Sequence, residues 1–220
     1  YYFGQLAGAQ HIPGNICVRH DLLMQMLEEI CEEISRNGLH KIVIFNAHGG
    51  NAAFLQYFLQ STLQKKKDYM VYSMNILSMI GESVRELYKN PEAASAALSQ
   101  EDREILANVA ASRGYSGHGG FSETAFVMGV DQKLVHLGRK DEVDYSDRGR
   151  LDHLEQAGLS TWMNWYAKYP NNYAGDPAGA TETIGKAMIQ YIARKAAHAI
   201  KVVKEDKVAL DLQNEFFSSW

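Results

Sequence analysis

The sequence predicts an α/β fold, a layered α/β/α domain around a mostly parallel central sheet, and three observations lead there. Short apolar runs rich in β-branched residues alternate with longer segments of helical periodicity. Ile42-Val43-Ile44-Phe45 is apolar at consecutive positions, the pattern of a strand covered on both faces. That run leads straight into Asn46-Ala47-His48-Gly49-Gly50-Asn51. A histidine beside two glycines is thereby delivered to a strand's carboxyl end, where open α/β sheets bind their ligands.

The elements follow in order. Leu22, Leu23, Met26, Leu27, Ile30, Cys31 and Ile34 repeat at helical spacing, with Glu28, Glu29, Glu32 and Glu33 on the opposite side. This predicts a helix over 21–37, with Asp21 as its N-cap and Asn37-Gly38 as a left-handed stop. A strand follows at Lys41–Asn46. Gly49 and Gly50 let the chain turn sharply and leave room beside His48. Ala52–Gln64 reads as a helix and Tyr69–Asn75 as the next strand. Ile76–Tyr88 is a third helix, leading into an alanine-rich stretch, Pro91–Ala111, of helical character that suits an insertion or lid.

A glycine-rich turn over Gly114–Gly120 precedes a helix from Ser122 to Gly129. The region 130–170 is weakly periodic and holds Trp162 and Trp165. Thr181–Val203 reads as a long final helix, with Ile184, Met188, Tyr191, Ile192 and Ala196 on one face. No repeat or low-complexity linker divides the chain, so residues 1–220 read as a single domain. The chain opens on Tyr1-Tyr2-Phe3-Gly4, which looks like a strand already under way and suggests that an N-terminal segment is missing.

Composition narrows the function classes. The chain has 220 residues, is 46% hydrophobic and 22% charged, and carries a formal net charge of -4. That describes a globular protein without the basic stripe of a nucleic-acid binder. The one basic run, Lys65-Lys66-Lys67, reads as the solvated end of a helix. Cys17 and Cys31 form neither a metal spacing nor a disulfide framework, and Cys31 reads as a small core residue. With no signal peptide and no membrane-length apolar run, a cytoplasmic setting is expected.

Two turns concentrate the chemistry. Besides Asn46–Asn51, His118-Gly119-Gly120-Phe121-Ser122-Glu123-Thr124 also places a histidine beside paired glycines at the entrance to a helix. His118 and Glu123 are five apart, too far round to share a face of one regular helix, but across a loop-to-helix joint both can point into one cavity. Imidazole and carboxylate suit zinc or manganese, and a bound ion activates water and polarises a carbonyl. A remaining histidine can shuttle a proton to a leaving nitrogen. The bland alternative is that the histidines hydrogen-bond their turns and Glu123 is half of a helix cap. Neither turn has the lysine of a phosphate loop or the glycine spacing of a dinucleotide site. His11, His20, His40, His136, His153 and His198 read as structural or solvated.

At these turns the sequence resembles the creatininase family of metal-dependent amidohydrolases. Ile42–Asn51 is similar to its central signature and His118–Thr124 to its second, His-Gly/Ala-Gly followed two residues later by Glu-Thr. His11-Ile12-Pro13-Gly14-Asn15-Ile16 resembles the family's His-Phe-Pro-Gly-Thr segment. Gly175-Asp176-Pro177 with Ala180-Thr181 resembles its element before the last helix. The resemblance runs from about Gly4 to Val203.

It implies a layered α/β domain with one or two divalent ions, zinc first and manganese or iron as alternatives, hydrolysing C–N bonds of small cyclic or linear amides. His48 and Glu123 become metal ligands, His118 the proton shuttle, and Asn51 the residue that pins the first turn. The family's namesake has Tyr-Glu where this chain has Gly49-Gly50, and Glu123 is the carboxylate that stands in. The family's Glu-x-His pair followed by Asp, which supplies three metal ligands, has no counterpart in this sequence. Trp162 and Trp165 are candidates for the wall of a substrate pocket. A homo-oligomer of hexameric type, a small-molecule substrate and no nucleic-acid or membrane partner complete the expectation. Alternatives are ring opening of a cyclic ketone, and a non-catalytic scaffold descended from the enzyme.

Overall fold

The computed structural model describes residues 4, 7–93, 98–112 and 117–219. Nine α-helices and two strands lie among the described residues, in two compact units that interleave along the chain. Of the described residues, the first takes Gly4, Ala7, 16–77 and 194–219, and the second takes those within 8–15 and 78–193. No helix among the described residues is long and apolar enough to cross a membrane.

The first unit is a βαβ element with flanking helices. Helix α1 (His20–Arg36) precedes β1 (Lys41–Asn46), and α2 (Ala52–Ser61) crosses over to β2 (Met70–Asn75). The strands are parallel, in register from Lys41 opposite Met70 to Asn46 opposite Asn75. Antiparallel strands could be joined by a tight hairpin; a parallel pair needs a crossover, which α2 supplies. Cys31, Ile42, Phe58, Tyr69 and Val71 form the core, with Leu27, Ile34, Ile44 and Leu59 packed against it. Burial pushes the Cys31 thiol up to about 11, so it behaves as the small apolar residue expected.

Several local expectations are corrected here. Arg19, not Asp21, is the N-cap of α1, and its guanidinium pairs with Asp21 at 3.0 Å. The left-handed stop is Gly38 alone, at φ +85°, because Asn37 stays at φ -87°. β1 is not covered on both faces among the described residues: Ile42 and Asn46 are buried, but Phe45 is 53% exposed. The described sheet has two strands, fewer than the layered sheet expected.

Lys67 is not a solvated helix end. It is buried, with its ammonium 2.7 Å from both Glu28 and Glu32 of α1. Nor is the long helix, α8 (Glu182–Glu205), the last one, since α9 (Ala209–Ser218) follows. The Gln213 amide of α9 donates to the carbonyls of Lys67 at 2.9 Å and Tyr69 at 3.2 Å. Lys41 Nζ donates to the Val203 and Lys204 carbonyls at the end of α8, which neutralises the negative end of that helix dipole.

The second unit is helical. Helix α3 (Ile76–Lys89) runs into it, followed by α4 (Gln100–Ala111), α5 (Phe121–Val130), two short helices α6 (Asp152–Gln156) and α7 (Met163–Lys168), and the first half of α8. The lid expected over Pro91–Ala111 is a 3-10 turn and then α4, with residues 94–97 outside the described set. A capping box between Ser99 and Asp102 starts α4. Asp102 also accepts from the Thr181 hydroxyl at 2.9 Å, tying α4 to the start of α8. Helices α5 and α8 cross at Gly129 and Gly185, where a Cβ on either glycine would run into the other's backbone. The expected strand end at Tyr1 falls on residues 1–3, outside the described residues.

Candidate functional site

The first turn is held by its asparagines. At the end of β1 the buried Asn46 side-chain oxygen accepts from the His48 amide and from the Asn51 side chain, both at 3.2 Å. Asn51 thus pins the turn through its side chain. His48 itself is extended (φ -137°, ψ 130°) and half-buried, and Gly49–Asn51 make one right-handed 3-10 turn into α2. Neither Gly49 nor Gly50 takes a positive φ, so the chain turns here without the left-handed conformation that favours glycine. What Gly49 does avoid is crowding, since a Cβ there would stand 3.2 Å from a Leu77 methyl. A cavity of about 640 Å³ runs along β1, with Leu23, Leu27 and Phe45 as apolar walls and Asn46, His48 and Asn51 as polar ones.

The second turn, in the other unit, is built by close backbone packing. Gly119 sits at φ +74°, a conformation that favours glycine, and a Cβ on it would lie 2.7 Å from the Tyr173 ring. A Cβ on Gly120 would come within 3.1 Å of the Gly175 backbone. The Ala174 amide donates to the His118 carbonyl at 2.9 Å. Two of the sequence elements singled out above, His118–Thr124 and the one beginning at Gly175, are therefore joined at this loop.

Glu123 is the third residue of α5, and its Oε2 accepts from the Gly119 amide at 2.9 Å. The capping alternative for Glu123 is thus realised, with its other oxygen left out of that bond. The imidazole of His118 stands edge-on to Trp165, with centroids 5.8 Å apart and planes at 74°. The other aromatic candidate, Trp162, is 69% exposed. Residues 113–116, part of the expected glycine-rich turn, lie outside the described set.

Two histidines read as solvated or structural prove well placed. His11 Nε2 donates to the Pro170 carbonyl at 2.7 Å, and its ring meets Tyr166 at 4.7 Å. His40 lies 3.1 Å from the Ser35 hydroxyl, which donates to Asp68. Sequence reasoning missed Asn172, whose side-chain oxygen accepts the Trp165 indole N–H at 2.6 Å while its backbone sits at φ +68°. The Asn171-Asn172 pair was the available signal, because asparagine tolerates the left-handed region better than other side chains.

Among the described residues no three His, Cys, Asp or Glu side chains stand close enough together to hold a metal ion. His48 has the donor chemistry of a zinc or manganese ligand, and so has Glu123, but they do not make up a complete ligand set. The described residues therefore fit a metal centre only in part.

Comparison with known proteins agrees on the fold. The model of the family described as "Creatininase: Creatinine amidohydrolase" matches residues 1–200. A protein of Bacteroides fragilis NCTC 9343, provisionally assigned as a creatinine amidohydrolase, superposes with a TM-score of 0.61 at 19% identity, covering 91% of this chain and 68% of its own. A manganese form of creatininase gives 0.60 at 19% identity, covering 87% and 67%. A zinc–zinc form of a creatininase point mutant gives 0.59 at 18%, covering 91% and 71%. No curated protein matches the sequence significantly. The chain belongs to the creatininase family.

Proposed function

We propose that this protein hydrolyses a C–N bond in a small amide, cyclic or linear, with a divalent metal ion as cofactor. The observation that carries the reading is the His118 loop. Its histidine is fixed at the entrance to α5 by glycine packing that tolerates no side chain, on a segment similar to a family signature. A backbone position that specific holds an imidazole in one place, as proton transfer requires. The manganese and zinc–zinc forms of relatives favour one of those two ions here.

In this reading His118 carries a proton to the leaving nitrogen. His48 and Glu123 each serve as a metal donor. When bound, the ion supplies a water nucleophilic near neutral pH and polarises the amide carbonyl. The Gly119 amide holds Glu123 in place through Oε2. We extend the proposal to a closed homo-oligomer, which light scattering of the purified chain tests.

The direct test is turnover of a panel containing creatinine, formamides and small cyclic amides, with zinc or manganese supplied. Wild type is expected to hydrolyse at least one, and His118→Ala to lose about 100-fold or more in kcat. Full activity in His118→Ala would remove the proton role. Hydrolysis of a cyclic ketone but no amide would transfer the reading to C–C bond cleavage. Inactivity toward the whole panel with metal bound would favour the scaffold alternative.

A further inference from the structure

We infer that Trp165 and Asn172 are positioning residues that set the orientation of the His118 ring. The inference rests on the proton role proposed for His118. It begins at Asn172, the one non-glycine residue with positive φ among those described, at +68°. Asparagine visits that region more readily than most side chains, and a residue held there often marks a functional site. Here the Asn172 amide donates to the Tyr169 carbonyl at 2.9 Å, which leaves its side-chain oxygen to take the Trp165 indole N–H at 2.6 Å. Trp165 stands edge-on to His118 on one side and packs on Tyr169 at 5.2 Å on the other.

The segment that carries Trp165 and Asn172 is anchored independently of them. Arg150 donates to the Ala167 carbonyl at 2.6 Å and lies over the Tyr166 ring at 5.1 Å. His11 holds the Pro170 carbonyl. After Asn172, Tyr173 fills the space that a side chain on Gly119 would need, and Ala174 bonds the His118 carbonyl. His118 is therefore gripped twice by one short segment, at its backbone through Ala174 and at its ring through Trp165. The indole can serve that purpose only while its N–H is satisfied, because a half-buried unpaired donor would pull it toward water. Asn172 supplies the partner from a left-handed backbone position that few other side chains adopt.

The test uses Asn172→Gly, Asn172→Asp and Trp165→Phe in the full chain. Glycine accepts φ +68° without strain, so Asn172→Gly removes the indole partner while keeping the fold. Aspartate keeps an oxygen at the same place. Two readouts are taken: the NMR signal of the His118 ring, which the neighbouring indole shifts, and kcat and KM on whichever amide is turned over. The proposal expects the His118 signal to move in Asn172→Gly and Trp165→Phe and to return in Asn172→Asp. It expects kcat to fall about tenfold in the first two with KM nearly unchanged, since small misplacements of a catalytic group cost rate rather than binding. A His118 signal unchanged in Asn172→Gly and Trp165→Phe would overturn it, as would a moved signal with full kcat. A moved signal in a protein whose His118→Ala variant keeps full turnover would instead remove the proton role, and with it the catalytic meaning of the contact.

Discussion

The two histidine turns share a pattern of letters and differ in what builds them. Asn46–Asn51 is a right-handed turn held by side chains: Asn46 accepts twice, Asn51 donates back, and Gly49 avoids crowding. His118–Thr124 is held by backbone: Gly119 is left-handed, Gly120 touches Gly175, and Glu123 ties the loop to its own helix. His-Gly-Gly thus says where a histidine is delivered, and it does not say why its neighbours are glycine.

Substituting the glycines separates the turns most sharply. Gly119→Ala combines a left-handed backbone with a ring in the way and is expected to cost about 2 kcal/mol or more. Gly49→Ala, in a right-handed turn facing a movable methyl, is expected to stay within about 0.5 kcal/mol of wild type. Urea unfolding measures both, and equal costs would erase the distinction.

The asparagines should show the reverse dependence. Asn46→Ala leaves the His48 amide and the Asn51 side chain without their acceptor and is expected to cost about 1–2 kcal/mol, more than Asn51→Ala at about 1 kcal/mol. A negligible loss in Asn46→Ala would mean the first turn is not held by side chains.

Acid adds a smaller contrast in the unit that carries the first turn. The hydrogen bond from Lys67, and then its charge, hold the Glu32 carboxyl below its ordinary 4.5. Its folded value is depressed, so the stability it contributes is present above the unfolded value and is lost as pH falls through the folded one. Urea midpoints should therefore drop below about pH 4.5, and Lys67→Met should flatten that decline. An unchanged acid limb in Lys67→Met would show that the pair is not coupled to folding.

The smallest expected effect on stability is that of Glu123→Gln, a few tenths of a kcal/mol, because an amide oxygen still accepts from the Gly119 amide. Stability preserved with activity lost would assign the carboxylate to chemistry. Both preserved would leave it a cap.

Local periodicity made much of the first unit legible. β1 and α2 lie within three residues of where spacing placed them, and Cys31 is the core residue its position implied. What escaped depends on partners distant in sequence. Lys67 looked solvated because its two glutamates lie on α1, 35 and 39 residues away. Helix α9 escaped because the residue it buries is Gln213, a polar side chain that no hydrophobic pattern marks. At the second turn the histidine and the glutamate were visible, but Tyr173 against Gly119 arises only when a segment some fifty residues on folds back, and Asn172 on Trp165 is a seven-residue contact within that segment that no periodicity marks.

The most direct test of the proposed metal-dependent hydrolase is the divalent metal retained after reconstitution with zinc or manganese and desalting, in wild type and His48→Ala. The account predicts about one or two ions per chain in wild type and a clear loss in the variant. Wild type that retains none, or a variant that retains as much as wild type, would contradict it.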